Sequence, residues 1–279
     1  MNSIIIVLPI LTLLMFDLGL SLEWKDFTLV FKQPRAMVAG MLGQLVLLPV
    51  LAYFVTLILD LPPVFTIGIM LIACCPGGSS SNVFSKLAHG DVALSVSLTA
   101  VSSVVTLITM PIIMQWVSAQ YGRDVNITLP VGNLLVQNLL TMLLPIVLGI
   151  LLRHYRQNTA TRISAVLSKL AFPLLMLLAG LFFIGNRASI IEYFGLLGIS
   201  VTAMLLAAIA LAALLCLIFR LRKNERRTIV IEVGMQNAAQ AIAVATSPFV
   251  FNDGSIAIPA IIYALMMNIV LLVYVAVVK

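Results

Sequence analysis

Nine apolar stretches, most of them about as long as a bilayer core is thick, constrain this chain more than any other feature. A helix crossing the hydrocarbon core needs roughly 20 residues. Runs of that kind fall near residues 4–20, 36–59, 64–88, 91–118, 130–152, 163–185, 189–219, 228–250 and 255–277. Lipid offers no partners to backbone N–H and C=O groups, so such a run crosses only as a helix that pairs them internally. Composition closes off a soluble fold. Only 9% of the 279 residues are charged and 62% are hydrophobic, against about 25% charged for an ordinary soluble domain. The sequence therefore specifies an all-α membrane protein of about nine transmembrane helices, with the lipid bilayer as its solvent.

The breaks between runs hold the charges and turn residues: Glu23–Arg35, Asp60–Pro63, His89–Asp91, Tyr121–Asn126, Arg153–Arg162, Asn186–Arg187, Arg220–Arg227 and Asn252–Gly254. None is long enough for a soluble domain. An external N-terminus places Lys25, Lys32, Arg35, Lys86, Arg153, Arg156, Arg162, Arg220, Arg222, Lys223, Arg226, Arg227 and Lys279 in the cytoplasm, with Lys169 near that side. Only Arg123 and Arg187 fall outside. The positive-inside rule thus predicts an outside N-terminus and a cytoplasmic C-terminus in the cell (inner) membrane. The net charge of +6 is scattered among apolar runs, which suits an anionic leaflet and argues against nucleic acid. The first run lacks a basic n-region and an A-x-A cleavage site, and reads as a retained helix. Cys74, Cys75 and Cys216 lie in apolar stretches without metal-ligand spacing, so neither disulfides nor zinc are expected. No H-E-x-x-H or G-x-S-x-G motif is present, and no histidine lies within a span, so the chain does not read as an enzyme.

Two runs are interrupted. The stretch 64–88 is broken at Cys74-Cys75-Pro76-Gly77-Gly78-Ser79-Ser80-Ser81-Asn82, and 228–250 around Glu232-Val233-Gly234-Met235-Gln236-Asn237. Proline removes a helical hydrogen bond and glycines favour an unwound chain. In lipid the freed backbone groups need protein or a watery cavity around them. Each broken run follows a long span and precedes one more, and the two enter from opposite sides. Such a pattern predicts inverted repeats whose broken helices flank a transport site.

Ser95, Thr99, Ser102 and Thr106 form one stripe of a helix. They serve either as helix–helix glue or, beside Ser81 and Asn82, as the wall of an oxygen-lined pocket. Glu232 is the most informative residue. It sits about one turn inside its run, so a snorkelling surface glutamate is one reading. With Gln236, Asn237 and Gln240 following, the other is a buried carboxylate that something must compensate. A hard cation with oxygen ligands would do so, and so would a proton. The residues alone leave both open. Gln44, between Gly43 and Pro49, could simply bond a neighbouring backbone. Asp17 is expected to reach water near the cytoplasmic end of the first helix, His89 and His154 are expected to be solvated, and Asn126-Ile127-Thr128 matches a glycosylation sequon.

The sequence closely resembles the bile acid:sodium symporter family from about residue 8 onward. The resemblance rests on Cys-Pro-Gly-Gly-x-x-Ser-Asn at 75–82, Gly-Asp-Val-Ala-Leu-Ser-Val at 90–96 and Glu-Val-Gly-Met-Gln-Asn at 232–237. It implies a panel domain (1–35 and 130–185) moving against a core domain with halves 36–119 and 189–279. It also implies two sodium ions where the broken helices cross. One site would take Ser81, Asn82, Ser95, Thr99 and Glu232; the other Gln44, Glu232, Gln236 and the carbonyls of Val233 and Met235. Ser79 and Asn237 align near the substrate. Met267, followed by Asn268, stands where some members carry a histidine, which departs from the bile acid pattern. Some bacterial relatives have ten helices, and this chain begins where their second would. The implied activity is sodium-coupled symport, by alternating access, of an organic anion, either bile acid-like or a small carboxylate such as pantoate. A proton-coupled carrier is the alternative, and a channel the more distant one.

Overall fold

A computed structural model describes residues 4–23, 28–122, 127–185 and 187–278. Lys25, Arg123, Asn126, Asn186 and Lys279, which enter the topology and sequon arguments, lie outside these residues. Among the described residues the chain is helical throughout, with one isolated antiparallel bridge between Gly77 and Gln236. We label the helices α1 (Ile4–Ser21), α2 (Pro34–Ile58), α3 (Pro63–Ala73), α4 (Ser81–Leu87), α5 (Val92–Tyr121) and α6 (Val131–Tyr155). They continue with α7 (Gln157–Gly185), α8 (Arg187–Ile218), α9 (Lys223–Gly234), α10 (Ala238–Thr246) and α11 (Gly254–Val278). Among the described residues, five helices are long and apolar enough to cross a membrane unaided: α2, α5, α6, the Ile190–Ile218 part of α8, and α11.

Charge does not end every helix where hydropathy alone predicts. The break expected at Arg153–Arg162 shrinks to Arg156 between α6 and α7, and α9 begins at Lys223, inside the expected loop Arg220–Arg227. Charged residues are good helix formers, so a helix that has left the apolar layer has no reason to stop. Hydropathy marks the layer and not the helix end.

Both runs flagged by proline and glycine are broken as expected. Residues 74–80 separate α3 from α4, and 235–237 separate α9 from α10. Three of these half-helices, α3, α9 and α10, carry the most enclosed stretches among the described residues: every residue from Phe65 to Ala73 is buried, as is every residue from Thr228 to Ala245, whereas Val83 and Leu87 of α4 are exposed. A helix apolar on all sides belongs inside a bundle. Their neighbours take the lipid. Phe54 and Ile58 on α2, Ile108 and Ile112 on α5, Leu217 on α8 and Val273 on α11 all point outward.

The two broken runs are approached in the same way. α2 ends at Ile58 and closes with Asp60 at φ 46° and Leu61 N–H on Thr56 O (3.1 Å). α8 ends at Ile218 and closes with Arg220 at φ 53° and Leu221 N–H on Cys216 O (2.9 Å). These are helix ends with a left-handed residue just past the last turn, here without glycine. Elsewhere α1, α6 and α7 pack on one another. Their closest approach is α1 to α6, where a Cβ on Gly149 would lie 2.6 Å from Phe16 O and 2.7 Å from Leu20 N. Small residues permit such backbone contact between membrane helices.

Candidate functional site

The site is assembled where the unwound segments cross. Gly78 N–H donates to Met235 O (2.9 Å) and Asn237 N–H to Pro76 O (2.9 Å). This two-bond antiparallel pairing gives partners to backbone groups that Pro76 and the glycines release from helix, which is how irregular backbone survives at membrane depth. Gly234 O, at the end of α9, accepts from the buried Tyr263 hydroxyl (3.0 Å) on α11.

A second connection sets the register of α5 on α9. Asp91 caps α5 by accepting from Leu94 N–H (3.0 Å), and its own N–H donates to Thr228 Oγ1 (2.8 Å). Gly90 is required there, because a Cβ would sit 2.6 Å from Thr228 Oγ1. One helical turn beyond that anchor on each helix come Ser95 and Glu232. They meet: Ser95 Oγ donates to Glu232 Oε2 at 2.9 Å. Thr99, a further turn along α5, donates to Glu232 Oε1. Ser81 Oγ, at the start of α4, lies 3.2 Å from Ser95 Oγ and 3.4 Å from Thr99 Oγ1. The Gly-Asp motif at 90–91 therefore aligns the serine–threonine stripe with the glutamate.

Glu232 is fully buried, so it is not a snorkelling surface residue. Among the described residues no lysine or arginine pairs with it; the ion pair there is Arg153–Glu23, at 2.7 Å. An unpaired buried carboxylate is costly, since hydroxyl donors supply hydrogen bonds but no charge.

Gln44 approaches the same carboxylate from α2. It lies in a π-helical turn, Gly43–Leu47, one residue short of Pro49. Proline cannot complete the α-helical ladder, and a widened turn absorbs the mismatch while presenting its side chains at a shifted angle. Gly77 separates the two groups. A Cβ there would collide with Glu232 Oε1 and lie 3.1 Å from Gln44 Nε2. Both polar atoms of the Gln44 side chain are buried without a partner, as are Gln236 Oε1 and Asn82 Oδ1. Gln236 Nε2 donates to Val233 O (2.9 Å), and Met235 O takes the Gly78 N–H. Three unpartnered amide oxygens on segments that meet at the crossing, together with one uncompensated carboxylate, leave buried polar groups unmet, which native interiors rarely do. The donor set is all oxygen: carboxylate, hydroxyl, carboxamide and carbonyl. It fits a hard cation and offers no soft ligand.

Ser79, Asn237, Met267 and Asn268 all line one cavity of ≈ 250 Å³ beside the crossing, with Asn82 and Gln236 also in its lining. Asn237 caps α10, its Oδ1 accepting from Gln240 N–H (3.1 Å). Met267 is buried, and Asn268 Nδ2 donates back to Ala264 O (2.7 Å).

One cavity residue departs from its expected place. Asp17 is only 9% exposed and faces this cavity; it does not simply reach water. Its Oδ1 accepts from Ser164 Oγ (2.8 Å) and its Oδ2 from Ser168 Oγ (3.0 Å), both on α7. The signal available in sequence was Ser164 and Ser168 themselves, four apart on one helix face and without another assigned role.

The profile of the Sodium Bile acid symporter family matches residues 8–193, about two thirds of the chain. The chain belongs to that family. It is a family of transporters and not of enzymes, and the chain is a multi-pass membrane protein. Among its relatives, a probable chloroplastic sodium/metabolite cotransporter of Arabidopsis thaliana is 34% identical over 86% of this chain and 58% of its own length. An uncharacterized sodium-dependent transporter of Bacillus subtilis is 29% identical over 86% of this chain and 73% of its own. The human ileal sodium/bile acid cotransporter is 28% identical over 82% and 65%. The chain thus spans little more than half the length of the plant relative. The matched profile includes the crossing motif at 75–82 and stops before Glu232.

Proposed function

We propose that this protein is a sodium-coupled secondary symporter that imports an organic anion by alternating access. The observation that carries the reading is Glu232: fully buried, held by Ser95 and Thr99, and unpaired by any described cation, while buried amide oxygens of Gln44, Asn82 and Gln236 on the segments of the crossing lack partners. Sodium bound there supplies the missing charge and the missing partners together. One site comprises Ser81, Asn82, Ser95, Thr99 and Glu232. A second comprises Gln44, Glu232, Gln236 and the carbonyls of Val233 and Met235. The two sites share Glu232, so each ion favours the arrangement that the other needs.

The substrate takes the adjoining cavity. Its anionic group is received at the amides of the Ser79–Ser80 turn and by the Asn237 side chain at the positive end of α10, since half-helix N-termini attract anions. Filling the sodium sites rigidifies the crossing that forms this wall, which couples ion and anion binding. Met267 removes a polar contact from the wall, and the cavity is small for a drug-sized ligand. Both support a small carboxylate over a bile acid. The mutual packing of α1, α6 and α7 supports a panel that moves against a core built from α2–α5 and α8–α11. The matching helix ends before the two broken runs support an inverted repeat of nine crossings. The cation distribution supports an external N-terminus.

The test needs no known substrate. The purified protein is melted in sodium, potassium and choline chloride, as wild type and as Glu232→Gln. A ligand that binds only the folded state stabilises it by about 2.7 kcal/mol at a hundredfold excess over its Kd. Sodium alone should raise the Tm of the wild type, and the variant should lose the response. Equal melting in all three salts, with stabilisation on acidification instead, would replace sodium with a proton.

A further inference from the structure

Symport of a simple anion leaves Asp17 without a purpose. A carboxylate on the wall of an anion-binding cavity repels what the cavity is meant to hold, yet α1 brings one there. It is no accident of a loose side chain. Ser164 and Ser168 fix both oxygens at 2.8 and 3.0 Å, and among the described residues no lysine or arginine neutralises it. A carboxylate has about four acceptor positions, so two hydroxyl donors leave it able to accept more. The cavity is the direction from which a further donor can come. Ser79 and Asn237, from the crossing, line the same cavity. One cavity therefore holds a carboxylate acceptor on α1, fixed from α7, together with the groups proposed to receive the anion.

We propose that Asp17 is a specificity residue: the substrate is a monocarboxylate carrying a hydrogen-bond donor, hydroxyl or ammonium, at the end remote from its carboxylate. This inference rests on the symport reading above and names the substrate class of the same cavity. Asp17 accepts from the donor, and Ser164 and Ser168 hold it in position to do so. The same group excludes dicarboxylates, because a second negative charge would meet Asp17 inside a site where water screens it poorly. An unsubstituted fatty acid is disfavoured for a different reason, leaving part of a desolvated carboxylate unmet. Sites that discriminate by hydrogen bonding reject analogues lacking the group far more strongly than apolar pockets do.

The experiment uses four matched ligands at chain lengths of about four to six carbons: the plain carboxylate, its ω-hydroxy and ω-amino forms, and the dicarboxylate. Each is titrated against purified protein in sodium and in potassium, with Tm as the readout. Wild type in sodium should bind the hydroxy or amino acid at least roughly tenfold more tightly than the plain acid, and the dicarboxylate most weakly. Asp17→Asn, whose amide offers both donor and acceptor, should admit the dicarboxylate and lose any advantage of the amino acid. Its sodium-induced Tm rise should persist, because Asp17 lies outside the sodium cluster. A dicarboxylate bound by wild type as tightly as the hydroxy acid overturns the inference, as does an unchanged ranking in Asp17→Asn. The wild-type ranking is decisive even should the variant fail to fold. Carboxylates that bind in sodium without ranking defeat only the role of Asp17. If none binds while sodium alone still raises the Tm, this inference falls and the symport reading stands; if sodium raises no Tm, both fall.

Discussion

Gly77→Ala is the sharpest probe of the crossing, because it adds one methyl group at the point where two proposed ion ligands, Glu232 and Gln44, meet. No glycine among the described residues has a positive φ, so alanine is compatible with the backbone at Gly77. The effect is steric. The new Cβ would overlap Glu232 Oε1, with Glu232 Cδ at 3.2 Å and Gln44 Nε2 at 3.1 Å. The backbone cannot retreat freely, since the next residue is held by Gly78 N–H on Met235 O at 2.9 Å. The carboxylate must move instead, at the expense of its bond from Thr99. A hydrogen bond to a charged group contributes about 1.5–3 kcal/mol. A loss of about 2 kcal/mol weakens sodium binding roughly thirtyfold. At a sodium concentration where wild type is stabilised by about 2.7 kcal/mol, the variant would then gain only about 0.9 kcal/mol. Sodium titration of the Tm measures both numbers. Gly195→Ala is the control: nothing lies within 4 Å of its added Cβ, and alanine in an exposed helix should stabilise by up to about 1 kcal/mol with an unaltered sodium response. A Gly77→Ala protein whose sodium affinity stays within a factor of two of wild type would refute the placement of Glu232 and Gln44 around this residue.

Thr99→Val keeps the shape but deletes a donor to Glu232; it should weaken sodium binding by tenfold or more, whereas Thr99→Ser should retain most of it, as read from the same titration. Tyr263→Phe removes the hydroxyl on Gly234 O (3.0 Å) and should cost about 1–2 kcal/mol of stability in detergent while leaving the sodium-induced shift intact. Gly149→Val forces apart the α1–α6 contact, where even a Cβ would sit 2.6 Å from Phe16 O; a loss of 1–3 kcal/mol or more is expected, scored by Tm and by the yield of monodisperse protein. Two sodium ions with one monovalent anion move one net positive charge inward, so 100 mV of membrane potential should contribute about 2.3 kcal/mol to uptake. Uptake into proteoliposomes clamped with potassium and valinomycin reads this directly, and indifference to voltage would rule out that stoichiometry.

Much of the architecture is local and so was legible along the chain. Apolar runs give helices because lipid leaves the backbone no other partners. Pro76 and the glycines at 77 and 78 give a break wherever they sit, and the four-residue step from Ser95 to Thr99 puts both on one face in any environment. The opposite holds for relations between distant segments. That Glu232 is wholly buried, and not at a lipid–water boundary, depends on α9 being enclosed on every side. That Ser95 meets it follows from the anchor of Asp91 on Thr228 one turn earlier, a contact spanning more than a hundred residues. Gln44 faces the crossing from a π-helical turn, and α-helical periodicity, which is all a sequence pattern supplies, misplaces a side chain in such a turn. Asp17 was misread for the same kind of reason. Its height in the membrane follows from its position in α1, but its direction is set by Ser164 and Ser168 on α7. The sequence determined which groups are too polar for lipid; only the packing of helices far apart in the chain decided which of them face one another.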